Sequence, residues 1–214
     1  MSKIFYFSAT AGSKRDTLLY KTTDKEVFFK ENNTDSLQKT YNKAIDFCIE
    51  ESIEYIVISH DDIIFENVTE SKLLENFDRY DMFGVAGATQ CKFNKPALWH
   101  LMGGGFQGGK LRGAVAHVNG TKKNMTAFGP YPSRVVLVDG VFLAISRKVF
   151  EKIRFDEDCP SRFHMYDLDY SLAAHNAGFK VGVGDILITH ASPGLTKTTD
   201  EFKQGEDWLL AKYK

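Results

Sequence analysis

Tyr55-Ile56-Val57-Ile58-Ser59-His60-Asp61-Asp62 is the stretch on which the fold turns. Its first five residues form a continuous apolar run, as in a strand covered on both faces, and such strands belong to parallel sheets flanked by helices. The run stops abruptly at His60-Asp61-Asp62. In an open α/β sheet, ligands bind outside the carboxyl ends of the strands, and two adjacent carboxylates there repel each other unless a cation sits between them. Oxygen ligands of this kind suit Mg²⁺ or Mn²⁺, which bridge carboxylates to substrate phosphates. A helix cap or a solvated turn accounts for the pair equally well.

Outward from this stretch, residues 3 to 8 (KIFYFS) and 26 to 30 (EVFFK) are short aromatic and β-branched runs that read as strands. Asn32, Asn33, Thr34, Asp35 and Ser36 then offer a turn and several N-caps, and Leu37, Tyr41, Ala44, Ile45 and Cys48 recur at helical spacing. A helix over about 69 to 79 and a strand over 82 to 88 follow. Strand and helix therefore alternate through the first ninety residues, which predicts right-handed crossovers and a largely parallel sheet.

Residues 89 to 133 hold clustered glycines and read as a long mobile segment over one face, a lid or binding loop. Beyond it the pattern predicts strands at 134 to 138 and 141 to 146 and a helix at 147 to 153. An amphipathic helix at 167 to 177 is stopped by Gly178, strands lie near 179 to 183 and 186 to 189, and a charged terminal helix closes the chain.

The 214 residues carry 27 Lys plus Arg against 28 Asp plus Glu, with 43% hydrophobic and 26% charged residues. That composition excludes disorder, a fibrous repeat and a disulfide-held miniprotein, and the spread of basic residues among acids argues against a nucleic-acid binder. Three separated cysteines, Cys48, Cys91 and Cys159, point to a reducing compartment, hence a cytoplasmic location. No apolar run reaches the length of a membrane span, and the amino terminus lacks a signal-peptide core. HExxH, P-loop, GxSxG and dinucleotide fingerprints are all missing.

Two further places carry candidate chemistry. Asp167 and Asp169 open a helix two residues apart, so they diverge by about 200° and cannot both face one substrate; one can serve as general base while the other caps. His190 ends the apolar run ILIT and can complete a metal site begun by Asp61 and Asp62, or be purely structural.

Taken in order, these pieces resemble the family 2-like nucleotide-sugar glycosyltransferases of the GT-A fold. The motifs are KIFYFSAT, EVFFKENNTDS, Tyr41-Asn42 in a helix, YIVISHDD in place of an Asp-x-Asp strand, Val138-Asp139-Gly140 before FLAISRKVF, HMYDLDYSLAAHNAGFKV, and the closing ITH. The likeness covers roughly residues 3 to 190. It implies a single α/β, Rossmann-like GT-A domain, with a central mostly parallel mixed sheet flanked by helices. The implied division is a donor-binding half at about 1–90, an acceptor and catalytic half at about 91–195, and a C-terminal helix at about 198–213.

The resemblance further implies a hexosyltransferase-type enzyme moving sugar from a nucleoside-diphosphate sugar, UDP being the commonest donor, to a hydroxyl of a glycan or glycoconjugate. Mn²⁺ or Mg²⁺ would be held by Asp62 and His190, and Asp167 would be the base of an inverting transfer. Ser8, Thr10, Arg15, Glu31, Asn42, His60, Asp61 and Asp139 would bind the nucleotide sugar, with Lys14 a further candidate. The glycines at 103 to 109 would close over the sugar, and Trp99, Phe106 and Tyr131 would stack on the acceptor.

Two positions depart from the family pattern: His60 stands at the first place of Asp-x-Asp, and Tyr166 stands where a Glu precedes the base. Chlorella-virus capsid-glycan glycosyltransferases are one possible source by general resemblance, which would place the protein in host cytoplasm, and the chain reads equally as one module of a multidomain enzyme. A sugar-nucleotide nucleotidyltransferase and a non-catalytic nucleotide- or sugar-binding module are the alternatives.

Overall fold

A computed structural model describes residues 4–91, 99–100, 109–119, 122–192 and 198–213. In chain order its elements are β1 (Ile4–Ala9), α1 (Leu18–Thr22), β2 (Val27–Lys30), α2 (Leu37–Glu50), β3 (Tyr55–Ser59), β4 (Ile63–Phe65), α3 (Glu70–Phe77), β5 (Met82–Gly84) and β6 (Ala86–Ala88). There follow β7 (Leu111–Asn119), β8 (Lys122–Gly129), β9 (Ser133–Arg134), β10 (Leu137–Val138), β11 (Phe142–Ser146), α4 (Arg147–Phe150), α5 (Tyr166–Asn176), β12 (Val181–Val183), β13 (Ile188–His190) and α6 (Asp200–Lys212).

The main sheet has seven strands in the order β2-β1-β3-β11-β5-β12-β9. Only β11 and β9 run against the other five, so it is a mostly parallel mixed sheet. Helices cover it. On β3, Ile56 and Ile58 enter one apolar cluster with Tyr41, Ile45, Leu143 and Phe150, while Val57 between them enters a second with Phe77, Phe83 and Phe142. Both faces of this strand are therefore packed, which is why its sequence lacks the alternation of a half-exposed strand.

A second sheet was not legible beforehand. β10, β6, β7, β13 and β4 pair in that order, with β8 on the far side of β7, and four of these five pairings are antiparallel. The long mobile segment expected over residues 89 to 133 is corrected here: β7 and β8 form an antiparallel hairpin across much of it. The strand expected at 82 to 88 and the one at 134 to 138 each break in two and pass between the sheets. Gly113 of β7 packs against the first of these crossings, with φ +99 and no room for a Cβ, which would lie 2.0 Å from the carbonyl of Val85 between β5 and β6. The glycines at 103 to 108 and Phe106 lie outside the described residues.

The helix expected to be amphipathic at 167 to 177 is buried on several sides: Tyr166 and Tyr170 enter one apolar cluster with Tyr41 and Phe155, while Leu168 and Leu172 enter the other, which includes Phe202 and Leu209 of α6. The Asp169 carboxylate, 4% exposed, meets Lys212 Nζ at 2.8 Å and the Tyr213 hydroxyl at 2.9 Å. This buried pair fixes the last helix against α5. Lys212→Ala is expected to lower the unfolding free energy by about 1–3 kcal/mol in urea titration, because Asp169 loses its cation, and adding Asp169→Asn should recover part of the loss.

Candidate functional site

Strand register builds the site. Phe142 stands opposite Ser59, so the residue after β3 lies beside the turn before β11, and the His60 amide donates to the Val141 carbonyl at 3.1 Å. In the second sheet His190 stands opposite Ile63 and beside His117, and the Ala191 amide donates to the Asp62 carbonyl at 2.9 Å. Two chain segments far apart in sequence thus bring His60 and Asp62 together with His190, their nitrogen and oxygen donors all within 4.8 Å of one another.

The orientation of these atoms is informative. Asp62 Oδ1 and His190 Nε2 are 3.2 Å apart, yet both are buried and neither has a hydrogen-bond partner. They lie near each other without pointing at each other. Ligand bonds of about 2.1 Å at right angles put neighbouring donor atoms about 3.0 Å apart, so this spacing suits two ligands of one divalent cation. The residues present fit such an ion.

His60 completes the cluster. Tyr166 has one hydroxyl proton, which it donates to the Gly140 carbonyl at 3.0 Å, so toward His60 Nε2 at 3.1 Å it accepts. His60 therefore carries its proton on Nε2 and leaves Nδ1, 3.8 Å from Asp62 Oδ1, free to ligate. Burial lowers the His60 pKa, with Asp62 opposing, and so favours the neutral imidazole a metal needs.

Asp167 faces the same cleft from the start of α5. Its Oδ2 accepts the Gly140 amide at 2.8 Å, and burial, reinforced by nearby Asp139, pushes its pKa up to about 7. A carboxyl so poised is half ionised near neutrality, as a general base should be. Gly140 is obligatory: a Cβ there would meet the Tyr166 hydroxyl at 2.2 Å and Asp167 Cβ at 2.8 Å. Asp139 Oδ1 closes the turn on the Val141 amide at 3.0 Å. Met165, buried with φ +68, reverses the chain just before Tyr166 and Asp167, a left-handed conformation uncommon for a side chain of this size.

The cleft of about 480 Å³ is lined by His60, Asp62, Asp139, Asp167 and His190, by Trp99, and on its rim by Phe163, which is 51% exposed with its ring 5.8 Å from His60. His100, His117 and His164 line it too, so five of the six histidines face one cavity. No Lys or Arg does so among the described residues.

Other predicted residues lie elsewhere. Ser8 is fully buried and donates to the Ser59 carbonyl at 2.9 Å; the Asn42 carboxamide donates through Nδ2 to the Phe155 carbonyl and to Glu157 at 2.7 Å and accepts the Phe155 amide on Oδ1. Glu31 accepts from the Lys14 amide at 2.8 Å and the Ser13 hydroxyl at 3.1 Å, Thr10 accepts from the Gly12 amide, and Arg15 is exposed. The Asp61 carbonyl holds the Leu19 amide at 3.0 Å. These six are not among the residues lining the cleft, nor is Tyr131. His117 and Phe163 were missed: pairing of β7 with β13 left no local mark, and one Phe among seventeen carries no signal.

Over residues 20–207 the chain matches the family described as glycosyltransferase like, and it belongs to that family. Its mixed α/β architecture is GT-A-like. Among solved structures it is similar to A197 from STIV, at 15% identity over 89% of this chain and 82% of that one, with a TM-score of 0.50. Others are the inositol-1-phosphate CTP transferase from T. maritima (14% identity, 84% and 66% covered, TM-score 0.34) and a glycosyltransferase involved in glycosylation of the major capsid of PBCV-1 (11%, 96% and 99%, 0.38). At 15% identity the likeness to A197 is one of fold. No curated protein matches the chain. No helix among the described residues is long and apolar enough to cross a membrane.

The Asp167 shift has a stability consequence whose sign follows from linkage. Its folded pKa stands above the unfolded value, so the native state binds more protons between the two and stability falls as pH rises through that window. In chelator-treated protein, Asp167→Asn is expected to be more stable than the parent by about 1–3 kcal/mol at about pH 8, the difference vanishing near pH ~4, by urea unfolding.

Proposed function

We propose that this domain is a metal-dependent, inverting glycosyltransferase that moves a sugar from a nucleoside-diphosphate donor, most simply a UDP-sugar, to a hydroxyl of a glycan or glycoconjugate. The observation that carries the reading is the pair of buried, unpartnered donor atoms Asp62 Oδ1 and His190 Nε2, which share a cleft with the raised carboxyl of Asp167. Asp62, His190 and His60 would hold the ion. Two imidazoles and one carboxylate favour Mn²⁺ over Mg²⁺, which prefers oxygen.

The chemistry that a divalent ion supplies when bound is neutralisation of charge on a diphosphate leaving group. The lining supports the need for it, since no described Lys or Arg reaches the cleft. Asp167, ionised, would accept the proton of the acceptor hydroxyl as that oxygen attacks the anomeric carbon from the face opposite the diphosphate. The Gly140 amide holds the carboxylate in place for this. Tyr166 fixes the His60 tautomer, and the exposed ring of Phe163 offers the acceptor a flat apolar surface beside the site. The donor side would be residues 1–90 and the acceptor side 91–195, with the helix near 198–213 bracing α5. Asp61, Glu31 and Thr10 remain candidates for the nucleoside end of the donor, beyond the cleft.

Calorimetry with UDP, GDP and CDP, with and without Mn²⁺, tests the reading. Asp62→Ala and His190→Ala should each weaken metal-dependent nucleotide binding about tenfold or more. Asp167→Asn should leave that binding intact and slow transfer by about 10²–10⁴-fold. Folded protein that binds none of the three nucleotides with Mn²⁺ overturns the proposal; binding without any loss of function in Asp167→Asn leaves a nucleotide-binding module instead.

A further inference from the structure

The outer edge of the main sheet is apolar where edges are normally protected. Of the six large apolar side chains exposed among the described residues, three surround β2: Tyr20, Phe28 and Phe47, at 45%, 57% and 38% exposure. On one face the Phe28 ring contacts Phe5 at 5.5 Å and Phe47 at 6.0 Å, and on the other Tyr20 contacts Phe29 at 6.1 Å. Contiguous exposed aromatics along an open strand mark a surface built to be covered.

The backbone states how it could be covered. β2 pairs with β1 alone, in parallel, with Tyr6 opposite Val27 and Ser8 opposite Phe29, and the Thr10 amide donates to the Lys30 carbonyl at 3.0 Å. Continuing that ladder turns the amide and carbonyl of Phe28 inward to β1, and those of Val27 and Phe29 outward to the open edge. If a second copy of β2 is laid antiparallel about a two-fold axis at Phe28, Val27 of each copy faces Phe29 of the other as a hydrogen-bonded pair. Phe28 then faces its own copy as the closer, non-hydrogen-bonded pair.

The side chains agree with this register. Glu26, Phe28 and Lys30 share one face of the strand, and the same two-fold puts each Glu26 opposite the other copy's Lys30. Both are exposed, and neither is in an ion pair among the described residues. The segment Glu26-Val27-Phe28-Phe29-Lys30 is thus self-complementary in hydrogen bonding, apolar contact and charge. We propose that β2 is the seam of a two-fold dimer of this chain, joining two seven-stranded sheets through their edges. No β2 residue lines the cleft, so both sites would stay open and the proposal stands apart from the proposed activity.

Sedimentation velocity on the full chain over about 5–100 µM, a range in which modest interfaces associate, tests it. The parent should sediment as a dimer at the upper end, and Phe28→Asp as a monomer, with unchanged circular dichroism. Lys30→Glu or Glu26→Lys alone puts like charges opposite at both ends of the seam and should weaken the dimer about tenfold or more. The double variant Glu26→Lys with Lys30→Glu restores opposite charges across the two-fold and should recover it. A parent that stays monomeric throughout, a dimer indifferent to the single charge variants, or a double variant that fails to recover would each overturn the proposal, leaving the edge to solvent or to a different partner.

Discussion

Everything at the site depends on the antiparallel insertion of β11 between β3 and β5. A purely parallel sheet would send the chain away from the carboxyl end of β3 through a helix, whereas the reversed strand begins beside that end. The Asp139-Gly140 turn consequently abuts His60, and Gly140 presents its amide to Asp167 and its carbonyl to Tyr166. One missing side chain at position 140 allows α5 to approach closely enough for both bonds.

The electrostatics follow from that crowding. Burial acts on each group in the direction that disfavours its charge: it raises Asp167 and lowers His60. Asp62 behaves differently, since His190 and His60 hold its carboxyl below the usual range in spite of the desolvation that opposes them. The cleft therefore contains one carboxylate kept ionised beside His60 and His190 and one poised to change state near neutrality. A divalent ion and a proton acceptor require that division of labour, and no surface salt bridge would create it.

How much of this was legible beforehand can be read from particular residues. β3 matched its sequence reading residue for residue, and α2 matched the spacing of Leu37, Tyr41, Ala44, Ile45 and Cys48, because local propensity and burial period agree there. Short strands of two or three residues, such as β4, β9 and β10, have no period to detect. The hairpin of β7 and β8 was obscured by glycines that mark crossings and close approaches between backbones, and these glycines look like loop when read alone. Asn42, Ser8 and Glu31 were singled out through the family resemblance, and the hydrogen bonds their side chains make go to the chain itself, which only the folded structure reveals.

The sequence by itself determined the strand and helix alternation, the acidic stop after β3, the divergence of Asp167 from Asp169, and the family, because each rests on neighbours a few residues apart. Tertiary structure alone decided that His190 and His117 lie beside Asp62, that Tyr166 sets the His60 tautomer, and that two donor atoms remain unpartnered 3.2 Å apart. The placing of the histidines comes from register between strands distant in the chain, His190 opposite Ile63 and His117, and a one-residue slip would turn every side chain to the opposite face; the Tyr166 contact comes from the docking of α5.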